Sequence, residues 1–204
     1  MTDNNITTVI DMIRHGEPVG GRKYRGQIDD PLSDKGWQQM RSAIADHHPW
    51  NIIVSSSLCR CADFANEIGT RHDIKVLTEP RLMEIGFGEW EGKTAAELMQ
   101  NDSKRLLNFW QSPLEHTPPG AETLYEFESR VIAAYDHVLN VYRGKHVLLV
   151  GHAGKMRMVI RHVLGMPIDR MFSLNISNAG ITRIKIEHYD NDSFSKVVFM
   201  NGQL

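Results

Sequence analysis

Two apolar rhythms alternate along this chain. Short β-rich runs, such as residues 6–13 (ITTVIDMI) and 145–152 (KHVLLVGH), predict strands. Between them, apolar residues recur at three- and four-residue spacing and predict amphipathic helices. In order, the pattern gives a strand over 6–13, a helix with Ser33 as its N-cap, a strand over 50–56 and a helix over 58–72. A strand over 74–78, a long helix over 122–144, a strand over 145–152 and a helix over 154–167 follow. Gly144 stops the long helix, and Gly165 with Pro167 stops the last one. Residues 179–202 read as two strands joined by a turn at 190–193.

Strands separated by helices of this length imply crossover connections and therefore parallel pairing. The expected fold is α/β: a three-layer sandwich with a mostly parallel central sheet and helices on both faces, the final strand pair adding at an edge. Residues from about 80 to 119 break the alternation and hold two short helical patterns. They read as an insertion folded over the active-site end of the sheet, within a single domain spanning 1–204.

Composition changes this picture little. The chain has 204 residues, 41% apolar and 24% charged, with a formal charge of −2, as a globular domain with one core would. No basic field is available for nucleic acid, so any anion must be held by a local cluster. The start of the chain lacks the pattern of a signal peptide, and the aliphatic run 147–150 is far too short to span a bilayer. Two cysteines, Cys59 and Cys61, make neither a disulfide framework nor a zinc site, which fits a reduced, cytoplasmic setting.

In an open α/β sheet the ligand site lies outside the carboxyl ends of the strands. Arg14, His15 and Gly16 follow the first strand directly. Ser55 and Ser56 end the second, with Arg60 one turn into the next helix. Gly151 and His152 end the fourth, followed by Ala153 and Gly154, and Glu84 lies in the loop after the third. Two guanidiniums and two imidazoles beside a helix N-terminus describe a phosphate pocket. A neutral histidine with one free nitrogen can act as a nucleophile, and a rim glutamate can protonate a leaving alkoxide and then activate water. Gly16 and Gly154 would let backbone approach the ligand closely.

The blocks RHGE (14–17), SSSLCR (55–60), EIGFGEWEG (84–92) and GHAG (151–154), in this order, resemble the histidine phosphatase superfamily, in the branch of the cofactor-dependent phosphoglycerate mutases. The resemblance implies that His15 is phosphorylated, that Arg14, Arg60 and His152 hold the phosphoryl group, and that Glu84 is the general acid and then the base. It implies no metal and no cofactor. The run YRGQIDDPLSDKG (24–36) is most similar to α-ribazole phosphatases. The resemblance thus implies a metal-independent phosphomonoesterase acting on a small phosphorylated metabolite, with α-ribazole 5′-phosphate the most specific candidate, in a monomer or homodimer that engages neither nucleic acid nor membrane. A phosphoglycerate mutase, a broad-specificity sugar or nucleotide phosphatase, a non-catalytic phosphate-binding module and a metal-dependent hydrolase are the alternatives. The chain departs from the family pattern at Pro18 and Gly21, where polar residues are usual, and at Phe64-Ala65, where the family has Thr-Ala. Arg22, Lys23 or Arg25 would supply the missing phosphate contacts, with Gly16 and Ala153 lining the same pocket.

Overall fold

The computed structural model describes residues 6–190 and 192–204. One six-stranded sheet organises the chain. Its strands are β1 (Ile6–Arg14), β2 (Ile52–Ser55), β3 (Val76–Thr78), β4 (His146–Gly151), β5 (Ile181–His188) and β6 (Ser193–Gly202), in the spatial order β3-β2-β4-β1-β5-β6. The pairings β2 with β3, β2 with β4 and β1 with β4 are parallel. β5 runs antiparallel to β1, and β6 antiparallel to β5, so the last two strands extend one edge of the parallel set. The turn expected at 190–193 includes residue 191, which lies outside the described residues.

The helices are α1 (Asp34–Ile44), α2 (Cys59–His72), α3 (Ala95–Gln111), α4 (Leu124–Val141) and α5 (Ala153–Val163). Ser33 caps α1 as its sequence position predicts, its hydroxyl accepting from the Gly36 N–H. The strands alternate their faces. Ile10, Met12, Val147 and Leu149 pack beneath α4 and α5, whereas Ile13, Leu148 and Val150 pack beneath α1 and α2. Burying each such side chain contributes about 1.5–3 kcal/mol, so the sheet is held from both sides.

The insertion is less regular than its two helical patterns suggest. It has 3-10 turns at Pro80–Leu82 and Gly88–Trp90, then α3, which is kinked at Asp102. Trp90, Leu98, Leu106 and Phe109 form their own small apolar cluster, against which Tyr24 and Phe172 pack. The insertion is thus anchored over the carboxyl end of the sheet, while Trp110 stays half exposed.

The parallel register fixes where the chemistry goes. Arg14 pairs with Gly151 and Ser55 with Val150, so β1, β2 and β4 end level with one another. Beyond those ends the His15 N–H still donates to the Gly151 carbonyl at 2.8 Å, and the Ser56 N–H to the Val150 carbonyl at 3.0 Å.

Candidate active site

His15, Ser56 and His152 emerge side by side from three adjacent strands. The two imidazoles meet edge to face, with ring centroids 5.2 Å apart, and both rings are buried. His15 Nδ1 lies 2.7 Å from the Gly16 carbonyl. A carbonyl only accepts, so Nδ1 carries the proton and the lone pair sits on Nε2. Burial and the charges of Arg14 and Arg60 push the His15 pKa well below the usual histidine range. Burial also lowers that of His152 far below it, reinforced by His15, Arg60 and Lys155. His152 Nε2 shares a 2.8 Å hydrogen bond with the Ser56 hydroxyl, and the Cys61 sulfur packs on the same ring at 3.6 Å.

These depressed values have a consequence for pH dependence. The folded protein keeps both rings neutral, whereas the unfolded chain takes up protons below about pH 6.5. Stability is therefore full above that pH and is lost as pH falls from about 6.5 toward the folded values. The C2-proton resonances of His15 and His152 are expected to stay unshifted from about pH 8 to pH 5.5. Midpoints near 6.5 would discard the buried, neutral pair.

Arg60 is almost wholly enclosed. Its two Nη groups donate to the Ile28 and Gly26 carbonyls at 2.6 and 2.8 Å, which leaves Nε enclosed and unpartnered. Arg14 donates from Nη1 to the Ile176 carbonyl at 2.7 Å, and its Nε is likewise without a partner. Burial lowers the Arg14 guanidinium to about 10, the Glu84 carboxylate partly offsetting it and Arg157 adding to it, so it stays charged at neutral pH.

Glu84 reaches the same place from the far side. Its Oε2 accepts from the Gly154 N–H and its Oε1 from the Ile85 N–H, each at 3.1 Å. The N-terminus of α5 therefore grips this carboxylate. Arg130 of α4 holds the loop behind it, donating to the carbonyls of Arg81, Met83 and Glu84 while paired with Glu122. Among the described residues, no group of three or more His, Cys, Asp or Glu side chains is arranged as a metal site.

Several expectations change. Gly16 and Gly154 each have a reason within the fold. A Cβ on Gly16 would lie 2.1 Å from the Gly36 carbonyl oxygen, where the strand-end loop crosses α1, and one on Gly154 would lie 2.2 Å from Glu84 Oε1. Ala153, expected to line the pocket, is a buried residue in the first turn of α5, whose N-cap is His152. Of the basic loop, Lys23 and Arg25 are both spent on Asp30 at 2.8 Å, and Arg25 also on the Val19 and Gly21 carbonyls. Only Arg22 makes no hydrogen bond or ion pair among the described residues and stays exposed. Pro18 bridges to Leu32, closing the loop.

Three cationic residues near the site went unread in the sequence. Arg130 sits in the long amphipathic stretch with nothing to mark it. Lys155 is fully enclosed on α5 with its ammonium unpartnered. Burial lowers it to about 8, against the pull of Cys61 and Glu84. Arg157, one turn after Gly154, is half-buried beside Arg14. The run GHAGKMR held a signal for the last two, cations one and three residues after Gly154.

A buried neutral imidazole with a free nitrogen, flanked by fixed guanidiniums and faced by a carboxylate, is equipped for phosphoryl transfer. The sequence profile of the histidine phosphatase superfamily, branch 1, matches residues 10–197. The chain belongs to that family and is a phosphoric monoester hydrolase. A putative phosphoserine phosphatase 2 of Hydrogenobacter thermophilus is 27% identical, over 86% of this chain and 88% of its own. An adenosylcobalamin/alpha-ribazole phosphatase of Escherichia coli is 25% identical, over 94% and 95%. Among solved structures, a mycobacterial glucosyl-3-phosphoglycerate phosphatase complexed with VO3 superposes with a TM-score of 0.81 at 26% identity, covering 96% of this chain and 99% of that one. The chain spans about half, 52%, of some longer mycobacterial relatives. No described helix is long and apolar enough to cross a membrane.

Proposed function

We propose that the protein hydrolyses small phosphomonoesters without a metal, through a phosphohistidine at His15. The observation that carries this is the His15 ring itself. Its Nδ1–H is committed to the Gly16 carbonyl, so Nε2 is an unprotonated nucleophile. Nε2 attacks phosphorus, and the P–O bond to the alcohol breaks. Arg14, Arg60 and His152 stabilise the charge on the transferring oxygens. Glu84 gives its proton to the leaving oxygen. In the second half it takes a proton from water as that water attacks phosphorus, and the P–N bond returns its electrons to Nε2.

α-Ribazole 5′-phosphate is one candidate substrate. The run that suggested it already has work within the fold. The Gly26 and Ile28 carbonyls accept from Arg60, and Asp29 Oδ1 accepts from the Cys59 N–H at the start of α2 at 2.7 Å. Asp30 pairs with Lys23 and Arg25, and Leu32 enters the core. This run supports a phosphate pocket more than a particular alcohol. Among the substrates in the relatives' names, phosphoserine and glucosyl-3-phosphoglycerate carry a carboxylate and α-ribazole phosphate does not.

The test of Glu84 uses leaving groups. Glu84→Gln is expected to slow hydrolysis of an alkyl phosphate by about 10²–10⁴-fold. Loss on p-nitrophenyl phosphate, whose leaving group departs without a proton, is expected to be much smaller in the phosphorylation half, so phosphoenzyme accumulates as a burst. Equal first-turnover losses on both esters would remove Glu84 from the acid role.

A further inference from the structure

One cation near the site that this mechanism leaves unused is Arg157. It lies on α5 and is half-buried. Its Nε donates to the Leu174 carbonyl at 2.8 Å, and its guanidinium lies 5.9 Å from the centroid of the Phe172 ring. Both Nη groups make no hydrogen bond or ion pair among the described residues, and they are not among the enclosed, unpartnered atoms. Arg14 is fixed to the Ile176 carbonyl, two residues along the same segment. Carbonyls two residues apart lie within about 7 Å of each other along the chain. One segment thus holds two guanidiniums near each other, one of them directly before the nucleophile. The Glu84 charge opposes the effect of burial on both guanidiniums.

Arg14 and Arg60 already supply the two positive charges that a phosphate dianion calls for. Arg157 is a third, with a free fork of donors, and nothing in the phosphoryl step uses it. Burial lowers its guanidinium from the usual arginine range, and the Glu84 charge partly offsets this. Planar paired donors match a carboxylate. The aromatic rings of Phe172 and Trp110, 5.5 Å apart at their centroids, and Tyr24 beside Trp110, wall the same side.

We infer that Arg157 binds an anionic group on the leaving alcohol, so that the preferred substrates are phosphomonoesters bearing a carboxylate close to the ester oxygen. This rests on the phosphatase reading above and names its substrate class. Arg157 is a specificity-determining residue here, and the phosphoryl group itself belongs to Arg14, Arg60 and His152.

Matched esters that differ only at the acidic group test it. 3-Phosphoglycerate is compared with glycerol 3-phosphate, and O-phosphoserine with phosphoethanolamine. The intact protein is expected to favour the carboxylate member of each pair by about tenfold to a hundredfold in kcat/KM, the range of a charge-assisted hydrogen bond. Arg157→Met is expected to bring both ratios to within about threefold of unity, and Arg157→Lys to restore part of the preference. Ratios near unity in the intact protein, or equal losses on both members in Arg157→Met, would overturn the inference and leave Arg157 as a pin for the Leu174 segment.

Two controls separate this failure from that of the underlying reading. p-Nitrophenyl phosphate with the intact protein and with His15→Ala reports the phosphohistidine route alone. Calorimetric binding of 3-phosphoglycerate and glycerol 3-phosphate to His15→Ala, with and without Arg157→Met, reports the subsite without turnover. Tighter binding of the carboxylate ester, lost with Arg157, supports the subsite even if no ester is hydrolysed. Equal binding of the two overturns it even if every ester is.

Discussion

His15→Ala abolishes hydrolysis of every phosphomonoester the intact protein cleaves, lowering kcat/KM by about 10⁴-fold or more, the scale on which removal of a nucleophile is felt. The expectation follows from what surrounds the ring. His15 Nε2 is unprotonated and free of a partner, because Nδ1 donates to Gly16, whereas His152 is engaged through its Nε2 with Ser56. Water in the space the ring leaves would have to attack the ester directly, without the two-step path. Rapid quench with labelled substrate is the direct check. The intact protein should yield an acid-labile, alkali-stable phosphoprotein, and His15→Ala none. A variant retaining a tenth of the activity, or a phosphoprotein surviving in it, would exclude His15 as the acceptor.

Arg60→Met is the second large effect, and it has two parts. Activity is expected to fall by about 10²–10³-fold, the cost of losing one preorganised donor to the developing charge. Stability is expected to fall as well. The Gly26 and Ile28 carbonyls lose their donors, and each orphaned polar group costs about 1–3 kcal/mol. A loss of about 2–4 kcal/mol corresponds to roughly 5–15 °C in Tm for a chain of this size. Arg60→Lys restores charge without the fork, so it should recover less than half of the lost stability. A variant as stable as the parent would show that Arg60 does not build the loop, and one active to within threefold of it that Arg60 does not hold the phosphoryl group. Both readouts are needed, since a residue that only shaped the loop would lose stability while activity per folded molecule stayed constant.

The coarse fold was legible because strand and helix differ in period. The runs at 6–13 and 145–152 could be little else, and Ser33 and Gly144 mark helix ends through local backbone chemistry. The insertion was legible only as an interruption. α3 bends at Asp102, and its apolar face is closed by Tyr24 and Phe172 from distant parts of the chain, so no local period describes it.

His15, Arg14, Arg60 and His152 could be named from their positions at and just after strand ends, whereas Glu84 was picked out among the carboxylates of its loop by the family resemblance of its block. The sequence by itself determined which side chains stand at the strand ends and which chemistry they carry, because strand period and loop placement are local properties. Only the tertiary structure decided how they are used. The parallel register sets β1, β2 and β4 level. The Gly16 carbonyl selects the tautomer of His15. Asp30 pairs with Lys23 and Arg25, and the Leu174–Ile176 segment sets Arg157 near Arg14. Each of these is a pairing between groups far apart in the chain. Charge and hydrogen bonding act over a few ångströms, and distance along the sequence does not report which groups folding brings within that range.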